Sequence, residues 1–204
     1  MVSNVEQPNN HPIYSLDTEM GSAIIFNEER EESFSLQNPS FIPTHAQLEG
    51  LWNVRFYGAV CKEGAGGGVW MQLLDGEALS YSYKFTYECK KNEAEYEALM
   101  LAIQIMKSFQ VKKVLICGDF ELVIKQLQGE YQARHPQMRS YRNTVQDLVE
   151  GFDECELSLI SRLQNGIVDS LATSTAVFKI PIHPSRKYEG EVRHRPSVPD
   201  NVKS

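Results

Sequence analysis

The chain has 204 residues, 42% of them hydrophobic, and a formal net charge of −7. This length suits one domain of ordinary size with tails, and no apolar run approaches the ~20 residues that a membrane span needs. The acidic balance excludes a nonspecific nucleic-acid coat, which requires a basic surface, but not a metal-dependent nuclease, whose acids bound cations neutralise in part.

Residues 1–50 show no sustained period and are predicted to form an irregular acidic leader. Gly21–Phe26 is a short apolar piece with room for one strand. The run Glu28–Glu32 is a solvated charge cluster, and Pro39 and Pro43 punctuate the stretch between it and Leu51. From Leu51 the pattern changes. Val54 and Phe56 suggest a strand, and Gly58 with the Gly64–Gly68 cluster marks a tight turn or close backbone approach. Val69–Leu74 suggests a second strand. Asp75-Gly76 is a hairpin signal, and Ala78–Tyr87 a third strand, with Tyr81, Tyr83, Phe85 and Tyr87 on one side.

A helix comes next, with Asn92 as the expected cap and Glu95 as the capping-box acid. Leu99, Ala102, Ile103 and Met106 form its apolar stripe. Val111–Cys117 reads as a buried strand, ended by Gly118-Asp119. A short helix is predicted over Glu121–Gln128, stopped by Gly129. Pro136 opens a longer one, with Met138, Tyr141, Val145, Leu148, Val149 and Phe152 facing inward. Leu157, Leu159 and Ile160 suggest a fifth strand, and Ile167–Ala176 a last helix. The order β-β-β-α-β-α-α-β-α predicts an α/β fold: a mixed five-stranded sheet, three antiparallel strands and then strand–helix units, with helices on its faces. Residues 51–176 make up this domain, and 177–204 are a Pro-rich, mildly basic, extended tail.

Cys61, Cys89, Cys117 and Cys155 lie too far apart for a zinc ribbon, redox pair or disulfide framework. The Gly64–Gly68 cluster lacks a following Gly-Lys-Ser/Thr and precedes a strand, so it is not a phosphate loop. The N-terminus has neither a secretory nor a transit pattern, which predicts an intracellular protein of the cytoplasm or nucleus.

Three acids fall where elements begin or end: Glu95 in the first turn of its helix, Asp119 at the end of a buried-type strand, and Asp169 near the start of the last helix. Ligands of open α/β sheets bind near the carboxyl ends of strands. Acids gathered there repel one another unless divalent cations neutralise them, and two such cations can cleave a phosphodiester. Each acid also has a plainer reading: Glu95 as a helix cap, Asp119 as a partner of backbone amides, Asp169 as a first-turn acid.

The segments Phe56–Val60 (FYGAV), Gly64–Trp70, Asn92–Ile103 (NEAEYEALMLAI), Gly118–Tyr131 (GDFELVIKQLQGEY) and Arg162–Ala172 (RLQNGIVDSLA) resemble the ribonuclease H domain of long-terminal-repeat retroelements, plant ones especially. The resemblance covers about residues 51–176. It implies a ribonuclease H-like fold, an RNA–DNA hybrid as substrate, and four carboxylates holding two Mg²⁺ or Mn²⁺ ions. It places the second, third and fourth acids on Glu95, Asp119 and Asp169, and the first on Tyr57. A phenol is neutral near pH 7 and does not replace a carboxylate that bridges two cations. Phe120 stands where the family has a small Ser, and Lys91 where it has the first Asn of a pair. Glu63 and Asp75 are the nearest substitute acids in sequence.

Three readings are open: a degenerate domain that binds hybrid or RNA and hydrolyses weakly or not at all, an active two-metal hybrid ribonuclease, or a catalytically dead structural or protein-interaction domain. The aromatics from Tyr81 to Tyr87 are the nearest candidate partner surface for the last, although alternation favours packing them into the core.

Overall fold

The computed structural model describes residues 25–27, 50–72, 78–177 and 189–198. Among the described residues, seven strands form one sheet: β1 (Ile25–Asn27), β2 (Leu51–Cys61), β3 (Gly64–Gln72), β4 (Ala78–Phe85), β5 (Lys113–Gly118), β6 (Glu154–Leu159) and β7 (Glu189–Arg193). Their order is β1-β7-β4-β3-β2-β5-β6. β2, β3 and β4 pair antiparallel, and the β2–β5, β5–β6, β4–β7 and β1–β7 pairs are parallel. Four helices are described: α1 (Lys91–Ser108), α2 (Glu121–Leu127), α3 (Pro136–Val149) and α4 (Gly166–Ala176).

The mixed sheet with helices is as the sequence predicts, and its five expected strands are β2 to β6. The expected strand number is corrected from five to seven by β1 and β7. β1 overlaps the short apolar piece Gly21–Phe26, which has room for one strand, whereas β7 lacks apolar alternation and is a strand only through its pairing with β4 and β1. The Asp75-Gly76 turn lies outside the described residues, as do Glu28–Glu32, Pro39, Pro43 and most of the tail. β3 and β4 still meet antiparallel, with Gln72 opposite Ala78.

Strand alternation sorts β2 onto two faces. Trp52, Val54 and Phe56 join the large core under α1, whereas Tyr57 and Ala59 join a smaller one with Trp70 and the α4 residues Val168, Leu171 and Ala172. Full burial of a side chain such as Phe56 contributes about 2 kcal/mol. A one-residue slip would reverse every one of these placements, so the register is firmly set. Tyr81, Tyr83 and Phe85 are 3%, 1% and 1% exposed within the large core, so this aromatic face is not a partner surface.

α1 is buried well beyond one stripe: Glu95 and Glu97 are as enclosed as Leu99 and Ile103. It packs on β2 and β3 on one side and against α3 on the other. Its capping differs from the expectation of Asn92 and Glu95. The helix starts earlier, at Lys91, and Glu93 accepts the Lys90 backbone N–H at 2.9 Å. Glu95 is thereby released from capping and turns toward β2. Gly58 makes this possible: a Cβ there would sit 2.2 Å from the Ala94 carbonyl carbon, so only glycine lets β2 lie against the start of α1. Gly68 plays the same part on the other face, where a Cβ would meet the Val168 carbonyl oxygen at 2.4 Å.

Candidate functional site

β2 and β5 run parallel and pair as far as Arg55 opposite Cys117. Tyr57 and Asp119 each lie two residues further on, where the paired strands part. Such a parting of strands is the usual ligand crevice of an α/β sheet. α1 brings Glu95 to it, and α4 brings Asp169.

Glu95 is fully buried. Its Oε2 accepts the Gly58 backbone N–H at 2.9 Å, and its Oε1 pairs with the Lys91 ammonium at 2.7 Å. Burial pushes the carboxyl pKa up to about 7, against the pull of Lys91 and the Gly58 amide, with Asp119 adding to the rise. Lys91 is half-buried. Burial opposes its charge, but Glu95 and the Tyr57 hydroxyl outweigh that and hold the ammonium pKa above its ordinary value. Its Nζ also donates to the Gly58 carbonyl and lies 3.9 Å from the centre of the Tyr57 ring.

Arg162, in the turn before α4, donates from Nη2 to the Tyr57 hydroxyl at 3.0 Å and to Asp169 Oδ2 at 3.2 Å. Asp169 Oδ1 accepts the Thr173 hydroxyl at 3.2 Å. Asp119 is held from Asn165, whose Nδ2 donates to Oδ1 of the acid and, at 2.9 Å, to the Phe56 carbonyl. Asn165 is 0% exposed. Arg55 reaches across the back of the same turn, donating to the Gln164 carbonyl and lying 4.9 Å from the Trp70 ring centre.

The crevice thus brings together Tyr57, Glu95, Asp119 and Asp169, but each meets a protein partner. Among the described residues, no three His, Cys, Asp or Glu side chains gather closely enough to hold a metal ion. Three carboxylates face two basic side chains and a neutral phenol, a set that does not fit a pair of dications. Among the described residues, no substitute acid is at hand. Glu63 lies in the exposed turn beyond Cys61, roughly 13 Å along β2 from Tyr57 at ~3.3 Å per residue, and Asp75 lies outside the described residues.

Sequence reasoning overlooked Asn165 and Arg55 as parts of this site. Asn165 opens the N-x-x-x-D segment and was legible there as a polar residue at a fixed distance from Asp169. Arg55 alternates with Tyr57 on β2 and so shares its face.

A mixed sheet in this strand order, with acids at the parting of its parallel strands, is a ribonuclease H fold. RNase H1 from the halophilic archaeon Halobacterium salinarum superposes with a TM-score of 0.59 at 28% identity, over 62% of this chain and 97% of that one. LC11-RNase H1, solved in complex with RNA/DNA hybrid, gives 0.57 at 24% identity over 63% and 97%. The N-terminal RNase H domain of a Mycobacterium tuberculosis protein gives 0.55 at 20% identity over 61% and 92%. These last two similarities speak for the fold alone. In sequence, ribonuclease HI of H. salinarum is 35% identical over 81 residues, 40% of this chain and 41% of that relative. A model of the reverse transcriptase-like family matches residues 56–175, and the chain belongs to that family. No helix among the described residues is long and apolar enough to cross a membrane.

Proposed function

We propose that this is a degenerate ribonuclease H-like domain that binds RNA–DNA hybrid or RNA and has lost efficient two-metal hydrolysis. The observation that carries the reading is the Tyr57 hydroxyl. It occupies the position at which the resemblance expects the first acid, and it accepts a hydrogen bond from Arg162 at 3.0 Å. A phenol contributes no charge near neutral pH. Two dications bring four positive charges, which four carboxylates would balance. Glu95, Asp119 and Asp169 offer three, and the adjacent bases already answer two of them.

Binding does not need those metals. A relative of the same fold has been solved with RNA/DNA hybrid, and exposed Arg162 beside the crevice is available to a phosphate oxygen. The retroelement origin belongs to the same reading, supported by motifs in the family's order along residues 56–172.

The test pairs two measurements on one hybrid. Fluorescence anisotropy at low salt is expected to show saturable binding that weakens as salt rises. Incubation with Mg²⁺ or Mn²⁺ is expected to leave the RNA strand intact. Cleavage that disappears in Asp119→Asn would establish the active alternative. Intact RNA with no binding at low salt would favour the structural or protein-interaction alternative.

A further inference from the structure

Lys91 occupies the first helical position of α1, where helix physics disfavours it. A cation at a helix N-terminus meets the positive end of the dipole. A lysine four residues before a glutamate is also the weaker orientation of such a pair. An ordinary surface lysine would extend into water. This one folds inward, and its surroundings come from three separate elements. Glu95 of α1 supplies a carboxylate oxygen at 2.7 Å. Gly58 of β2 supplies a carbonyl oxygen. Tyr57 of β2 and Phe120, after β5, supply ring faces at 3.9 and 5.7 Å. Together they form a seat for one monovalent cation, with carboxylate, carbonyl and aromatic faces around it.

We propose that Lys91 is a resident counter-ion which has taken over the charge-balancing role of a divalent cation at Glu95, so that the crevice is metal-independent and restoring an acid at position 57 does not by itself reopen it. The inference rests on the reading that this domain no longer uses two metals, and it extends that reading from a missing ligand to an occupied seat. Both Glu95 oxygens are committed, one to the Gly58 amide and one to the ammonium. A dication approaching Oε1 meets a tethered positive charge that cannot diffuse away. A carboxylate introduced at position 57 would lie beside the same ammonium and strengthen its hold. Arg162 differs: its side chain is 70% exposed, against 38% for Lys91, so water competes far more for its pairing with Asp169. The lock is therefore Lys91.

The experiment titrates Mn²⁺ alone into the intact chain. Binding is followed by calorimetry and by loss of the free-ion paramagnetic resonance signal, for the wild type, Tyr57→Asp, Lys91→Asn and the double variant. Circular dichroism melts with and without Mn²⁺ verify folding. The wild type and Tyr57→Asp are expected to show no saturable binding at millimolar Mn²⁺. The double variant is expected to bind at least ten-fold more tightly than Tyr57→Asp and to melt higher with the ion. The inference is overturned if Tyr57→Asp binds as tightly as the double variant, or if the double variant folds and binds nothing. Should the asparagine double variant not fold, Tyr57→Asp with Lys91→Gln, which keeps the stem, gives the same comparison. Saturable binding by the wild type would instead overturn the reading of lost metal use, whereas the ratio between the two variants would still report on Lys91.

Discussion

Glu95 is a carboxylate that solvent does not reach, with one oxygen on a backbone amide and the other on an ammonium. Its raised pKa makes stability depend on pH in a definite direction. Between the ordinary value of 4.5 and the folded value of about 7, the folded chain keeps a proton that the unfolded chain releases. The contribution of this group is therefore fully present below pH 4.5 and is lost as pH rises through about 7. We expect a melting curve series from pH 5 to pH 8 to show this decline in the wild type and a flatter profile in Glu95→Gln. Identical pH profiles for the two proteins would show that the group titrates as an ordinary surface acid. Asn165 supports a second prediction. Replacing it with Ala orphans the buried Phe56 carbonyl and frees Asp119, and urea denaturation should report a loss of about 2 kcal/mol. The acids themselves were legible in sequence because they sit at element ends, and Tyr57 because a motif surrounds it. Their partners were not. Asn165 and Phe56 are 109 positions apart, and no local period reports a hydrogen bond of that span.

At the scale of the element, α1 shows how tertiary surroundings override a helical pattern. Its apolar stripe is real, yet the side opposite the sheet is buried too, because α3 and the segment after β7 cover it. Glu97 is the joint. It is 1% exposed and accepts the Tyr141 hydroxyl at 2.6 Å, the Ser197 backbone N–H at 2.8 Å and the Ser197 hydroxyl at 2.6 Å. Three donors converge on one carboxylate, which fastens both α3 and the tail to α1. A glutamine here would turn an amide N–H toward donors. Glu97→Gln should thus cost about 3 kcal/mol, and Ser197→Ala, which removes one charged-acceptor bond, about 2 kcal/mol, both read from urea midpoints. Limited proteolysis should nick the tail sooner in each variant. Equal stability of Glu97→Gln and the wild type would mean that the carboxylate is not the fastener. This joint was invisible in the sequence because Glu97 lies off the apolar stripe of α1, and the Pro-rich tail carries no period to place Ser197 beside it.

Across the whole molecule, the tail is a working part of the sheet. The sequence predicts an extended segment after residue 176; within it, β7 lies between β4 and β1 and pairs with both. Without it, β4 would present a row of unpaired backbone groups from Tyr81 to Phe85 over an aromatic core, the arrangement most prone to edge-to-edge association. Thr86 would lose the Arg193 carbonyl, which its N–H and hydroxyl meet at 3.0 and 3.1 Å, and Glu97 would keep only Tyr141 of its three donors. A chain ending at Val177 should melt at least roughly 5 °C below the intact protein, since a loss of 2 kcal/mol or more in a domain of this size shifts the midpoint by about that much. It should also sediment as larger species as its concentration rises. Adding residues 178–204 back as a separate peptide should reverse both changes if β7 acts by covering the β4 edge. A truncated chain that melts like the intact one and sediments identically would instead make β7 a passenger on a sheet already complete at β4.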